Sequence, residues 1–250
     1  MNFRRTDREM RKYYKTPFLL LAAFTVSCAT RTVHPTSLGT PCSASQVRLT
    51  QAWRALHEAL QAPGGCELDS AVRCEALRSQ IERLSVDCPG NPDIVMANAL
   101  LAFDGKDFVR SQQLLDQIFS TGVVPPEAAV LRARIAIEQG NLQFAIRFLD
   151  QQIHQTGDSA GLRETYASAL FLAGRLDEAD IQLSIAEKLA APGWRVAYGK
   201  GLIDEARGRF AEAGSRYQEA LRAKPGWKQA ESRLRALVAS GKIQSTENLK

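Results

Sequence analysis

Histidine is scarce in this chain. There are three in 250 residues, His34, His57 and His154, and no two stand at the His-x3-His spacing that lets one helix face hold a catalytic metal. There is no Cys-x2-Cys pair, no Gly-x4-Gly-Lys loop to cradle phosphates and no dinucleotide glycine pattern. These absences point away from metal-assisted, nucleotide-dependent and cofactor chemistry. The expectation is a protein that is not an enzyme, with no cofactor, no metal and no catalytic residue. His154 reads as a solvated helix-end residue. The acidic pair Asp177-Glu178 reads as a helix start, where the helix dipole favours negative charge, and not as acid–base machinery.

Charge of one sign is also lacking once the ends are separated. The formal net charge is +5, but residues 1–27 hold six basic residues, Arg4, Arg5, Arg8, Arg11, Lys12 and Lys15, against Asp7 and Glu9. That leaves the other 223 residues close to neutral, with no cluster to neutralise phosphates, so nucleic acid is not an expected partner. Long apolar runs are missing too. The run from Phe18 to Phe24 is far short of the about 20 residues that span a bilayer.

What is there is a leader. Basic residues, the short apolar run and then Thr25-Val26-Ser27-Cys28 follow the order of a secretory signal, and Met10 offers a second, more compact start. The end of the leader resembles the lipobox of bacterial lipoproteins, with Ser27 small before the cysteine and Thr25 where that family usually has leucine. The resemblance implies cleavage after residue 27 and lipidation of Cys28, an anchor of several acyl chains that holds stably to a membrane. Ala29 after the cysteine, by the same resemblance, implies the outer membrane of a bacterial envelope and exposure to the periplasm. Residues 28–44, rich in Thr, Ser, Pro and Gly, read as a lipidated tether.

Four more cysteines, Cys42, Cys66, Cys74 and Cys88, fall in the first third of the exported part. Export makes disulfides the expectation, and three pairings are open. Helices are expected over 46–61 and 68–84, joined by the breaker Ala62-Pro63-Gly64-Gly65, giving a divergent hairpin over 45–91. An antiparallel hairpin brings Cys42 beside Cys88 and leaves Cys66 near Cys74. The spacings fit no compact zinc pattern.

The dominant signal is a repeat of 34 residues. Gly140, Gly174 and Gly208 recur at that spacing, each just after a helical pattern. Ala99, Ala133, Ala167 and Gly201 form a second column, and Phe108, Leu142, Leu176 and Phe210 a third. Ser111, Ala145, Ala179 and Ala213 form a fourth, and Leu115, Leu149, Leu183 and Tyr217 a fifth. Small residues let two helices approach, large apolar ones fill the space between hairpins, and the glycine supplies the left-handed residue that ends a helix.

On these columns the chain resembles the tetratricopeptide repeat family over about residues 92–227. The last unit, with Gly201, Gly208, Phe210, Ala213, Tyr217, Ala220 and Pro225, carries the resemblance best. The unit before it keeps Ala186 and shifts its proline to Pro192. The unit from Pro126 has Gln152 at the second alanine place, and the unit from Pro92 has Lys106 in the glycine place. The resemblance implies an all-α, right-handed solenoid of helical hairpins, with four repeats over 92–227 and a capping helix and tail over 228–250. It also implies a concave groove lined by the first helix of each unit, where a protein or peptide partner lies. The matching positions are Met96, Leu100 and Phe103; Val130, Arg134 and Ile137; Glu164, Ser168 and Phe171; and Tyr198, Leu202 and Glu205. This strip is more apolar than charged, with Arg134 its sole cation, and would suit an amphipathic helix or an extended peptide with apolar anchors.

The function expected is therefore a protein-interaction scaffold, an envelope lipoprotein that supports assembly of a larger complex. The alternatives are a regulatory adaptor that recruits a cell-wall enzyme and, last, an enzyme with an unrecognised site.

Overall fold

The computed structural model describes residues 41–61, 71–122, 124–156 and 159–244. The leader, Cys28, the tether up to residue 40, and Cys66 lie outside the described residues. Within them the chain forms α1 (Pro41–Gln61), α2 (Ala71–Asp87), α3 (Pro92–Asp104), α4 (Phe108–Phe119), α5 (Pro126–Glu138) and α6 (Leu142–Thr156). There follow α7 (Ala160–Leu172), α8 (Leu176–Lys188), α9 (Gly193–Ala206), α10 (Phe210–Ala223) and α11 (Lys228–Ala239). Two boundaries differ from the sequence reading. Helix α1 begins at Pro41, so residues 41–44, read as tether, are helical, with Ser45 fully buried. Proline suits a first helical turn, where its missing N–H is not needed. Helix α2 runs on to Asp87, past the expected end at residue 84.

The turn chemistry repeats with the period. After α5, α7 and α9, a glycine in the left-handed region (Gly140, Gly174, Gly208; φ 75 to 76°) is followed by a residue whose N–H reaches five residues back. These bonds are Asn141 to Ala136, Arg175 to Leu170 and Arg209 to Asp204, at 2.8 to 2.9 Å. This closure satisfies carbonyls that the helix end would otherwise leave open. Lys106 (φ 63°) and Ala190 (φ 62°) make the same closure without glycine. Helix starts are capped by side chains. Asn91 accepts from the N–H of Asp93 and of Ile94 at 3.1 and 3.2 Å, Asp107 from Arg110 at 3.0 Å, and Ser159 from Leu162 at 3.2 Å.

Helices pair in sequence as antiparallel hairpins, α1 with α2 through α9 with α10, and α11 closes the last hairpin. Each odd-numbered helix from α1 to α7 also meets the next odd-numbered one, so the helices α1 to α9 of odd number line one side of the stack and the even-numbered ones the other. The division explains their composition. Helix α3 touches neighbours on most sides and buries Ile94, Val95, Ala97, Asn98, Ala99, Leu101, Ala102 and Phe103. Helix α4, with one face to solvent, buries only Ser111, Leu115 and Ile118. The repeat columns are the core. Ala133, Ala145, Leu149 and Ala179 are fully buried in one cluster with Ala167 and Leu183. Ser111, in an alanine column, is fully buried and donates its hydroxyl to the Ala99 carbonyl at 2.8 Å, which makes a polar residue tolerable there.

Ion pairs tie successive hairpins at the surface, among them Arg132–Asp116 (3.1 Å), Arg195–Glu164 (3.1 Å) and Arg207 with Asp177. At the first hairpin Cys42 and Cys88 form a disulfide (Cα–Cα 5.5 Å) between the start of α1 and the end of α2. Cys74, buried in the same cluster, is also disulfide-bonded. At the other end Ala230, Leu234 and Leu237 of α11 pack onto Tyr217 and Ala213 of α10.

Candidate partner-binding groove

Helices α5, α7 and α9 leave between them a solvent-facing cavity of about 540 Å³. Val130, Arg134 and Ile137 come from α5, Glu164 and Ser168 from α7, and Tyr198 and Leu202 from α9. Seven of the twelve residues read from the sequence thus share one cavity. They do so because the 34-residue period returns each column to the same face of every odd-numbered helix. Val130 and Ile137 set one side on the core and turn the other to the cavity, as do Tyr198 and Leu202.

Phe171 stands in an adjoining slot of about 300 Å³ with Leu172, Gly199 and Leu202, and Ser168 borders both spaces. Gly199 lets Leu183 pack close against α9. A Cβ there would come within 2.8 Å of Leu183 Cδ1. Toward the first hairpin, Met96 and Leu100 line a third space with Leu49, Trp53 and Arg54 of α1, and Phe103 and Arg134 line a fourth with Trp53 and Leu56. The groove positions therefore lie along a series of hollows, and the first hairpin contributes to them through Trp53. Glu205 lines none of these. It is engaged beside them, accepting the Tyr217 hydroxyl at 2.6 Å and pairing with Arg233 at 3.4 Å. Burial and that carboxylate push the Tyr217 hydroxyl above its usual range.

The reading of Arg134 as the sole cation needs correction. Arg195 lies in the same cavity wall, and Arg54 and Arg233 border neighbouring hollows. Arg195 occupies the column Asp93, Glu127, Gly161 and Arg195, one helical turn before the residues considered. That column shares the 34-residue period, which is the signal that would have found it. Trp194 and Trp227 were also missed. Trp227 follows α10 in the loop before α11, outside any first-helix column, and its ring packs at 4.6 Å from both Trp194 and Tyr198.

Electrostatics in the cavity centre on Glu164. Its Oε2 accepts from Arg195 at 3.1 Å, and its backbone carbonyl takes the Ser168 hydroxyl at 3.0 Å. Burial raises the carboxyl above its ordinary value, and Arg195 opposes that shift only in part. Arg134 lies over the Phe103 ring at 4.7 Å.

Two chemistry-bearing features have structural roles. His154 is exposed, with Nδ1 2.7 Å from the Asp150 carbonyl. The reading that the sequence holds no Gly-x-Ser-x-Gly elbow also needs correction: the pentapeptide Gly157-Asp158-Ser159-Ala160-Gly161 does spell that pattern. A nucleophile elbow needs a strand before the turn. Ser159 instead caps α7, and the element before it among the described residues is a helix, α6, which ends at Thr156.

Solved structures share this architecture. A tetratricopeptide repeat protein from Parabacteroides merdae superposes with a TM-score of 0.59 at 16% identity, covering 78% of each chain. The fold is a tetratricopeptide-type α-solenoid. A thermophilic tetratricopeptide repeat protein of Thermus thermophilus superposes with a TM-score of 0.64 at 15% identity, over 78% of this chain and 99% of that one. No family model matches the sequence, and no curated protein does.

Proposed function

We propose that the protein is an interaction scaffold that holds a partner protein or peptide in its concave groove. The observation that supports this most is the cavity of α5, α7 and α9, with tryptophan, tyrosine and aliphatic side chains facing solvent in one place. Such a surface costs solubility unless something covers it. Aromatic side chains that keep one polar atom are those that dominate binding energy at interfaces. The leader and Cys28 support a finer reading, that of a lipoprotein of a bacterial envelope which displays this groove in the periplasm and supports assembly of a larger complex.

The test compares Ser168→Arg with Ile181→Arg. Ser168 is exposed at the junction of the cavity and its slot, so arginine there fills the groove while leaving the core intact. Ile181 is 56% exposed on α8 and serves as the control. Crosslinked complexes recovered from the native envelope should persist in Ile181→Arg and be lost in Ser168→Arg. Equal recovery from both would move the binding surface off the groove. Labelling of Cys28 by a fatty-acid analogue, abolished by Cys28→Ala, tests the anchor.

A further inference from the structure

The cavity wall contains a carboxylate oxygen that the fold leaves without a donor. Oε2 of Glu164 is served by Arg195 at 3.1 Å, but Oε1 is buried and has no hydrogen-bond partner among the described residues. A buried acceptor without a donor is a standing cost, larger for a charged group. The cavity's own cations do not relieve it. Arg134 lies over the Phe103 ring, and Arg195 is committed to the other oxygen.

The same cavity is lined by a cluster of three rings. Trp227 packs at 4.6 Å from both Trp194 and Tyr198, and all three line the cavity. Ring faces attract cations, and this cluster already shows it. Lys224 Nζ lies 4.1 Å from the centre of Trp194, and the Arg195 guanidinium 5.1 Å. Rings and an unserved carboxylate oxygen together make a receptor for one chemical class, a cation that also donates hydrogen bonds.

Resting on the groove reading above, we propose that this cavity receives a basic side chain of the partner protein, a lysine or arginine whose head stands against Tyr198 and Trp227 and donates to Glu164 Oε1. A partial turn of the carboxylate about its last torsion, which is broad and soft, brings Oε1 toward the cavity. Arg195, whose side chain is half exposed, has room to shift outward. An acidic side chain would meet the buried carboxylate, and an apolar one would leave the oxygen unserved and further from water. The adjoining slot of Phe171, Leu172 and Leu202 then suits an aliphatic residue beside the basic one.

The test is selection of a random dodecapeptide display library on the full chain, with the enriched peptides synthesised and titrated. The expected peptides carry lysine or arginine next to an aliphatic residue. Replacing the lysine by norleucine should weaken binding at least tenfold. Glu164→Gln, which keeps the shape of the side chain, should weaken it to a similar degree and remove the distinction between lysine and norleucine. Peptides that lose binding to Ser168→Arg but carry no basic residue, or bind Glu164→Gln unchanged, overturn the cation site and leave the groove standing. Peptides indifferent to Ser168→Arg, or a library that yields none, overturn the groove and the cation site together. Free acetyl-lysine methylamide binding as tightly as the peptides would assign the site to a small amine and overturn the partner-protein assignment.

Discussion

The two ends of the solenoid solve one problem by different chemistry. A terminal hairpin has a neighbour on one side only and loses half of its interface. At the first hairpin the buried cluster is aliphatic, with Leu49, Leu56, Ile81 and Leu84 around Cys74 and Cys88, and the disulfide Cys42–Cys88 closes it. At the last hairpin the cluster is built on Tyr217, fully buried, with Trp194, Tyr198, Phe210 and Trp227 packed around it and α11 laid across the end. One end is held covalently and the other by aromatic area and a cap. The rings that stabilise α9 and α10 also furnish the cavity between α5, α7 and α9.

The comparison breaks most sharply at Tyr217. Tyr217→Ala is expected to cost about 3–5 kcal/mol, the range for emptying a buried aromatic site, and chemical denaturation should show the α9–α11 end unfolding before the rest. Cys42→Ser is expected to cost about 2–4 kcal/mol. Reductant, which also opens the Cys74 disulfide, should lower the wild type at least as far while leaving the last hairpin unaffected, as read by hydrogen exchange on α1 and α2 against α9 and α10.

Gly201 sharpens the contrast between repeats. In three units the small column is alanine (Ala99, Ala133, Ala167) and its partner leucine (Leu115, Leu149, Leu183). Only the last unit pairs glycine with tyrosine. A Cβ on Gly201 would fall 2.6 Å from Tyr217 Cε1 and 3.1 Å from Arg216 Cβ. Gly201→Ala is therefore expected to cost about 1–3 kcal/mol through overpacking, although it restores the residue of the other units. Adding Tyr217→Leu to it should cost less than the two single changes summed, which a double-mutant cycle measures.

Two smaller effects follow. Ala190 holds a left-handed backbone at an exposed position, so Ala190→Gly is expected to stabilise by about 1 kcal/mol, seen as a raised Tm. Glu164 has a carboxyl raised by burial, so the folded state favours its protonated form. Its ionisation costs stability as pH rises from the ordinary carboxylate value through the raised one. Glu164→Gln should match the wild type in acid and become the more stable of the two above that window, by denaturation across pH.

Legibility in the sequence followed what each residue type is able to report. The glycine and alanine columns gave the turns and the close helix contacts, because few other residues fit a left-handed turn or a tight crossing. The sole-cation reading failed because three positions per first helix were considered, and Arg195 stands one turn earlier. Trp227 was invisible because it reaches the groove from a loop, by tertiary packing that no helical period encodes. The start of α1 was missed because Pro41 and the serines around it look like tether, while a first helical turn accepts both. Lys106 in the glycine place weakened the first repeat on paper, yet its backbone adopts the same left-handed turn.

The most direct test of the groove as the partner surface is site-specific photocrosslinking, with a photoreactive phenylalanine analogue placed at residue 168 in one variant and at residue 181 in another. The account predicts a discrete crosslinked partner from position 168 and none from position 181. A partner captured from position 181 and not from position 168 would contradict it.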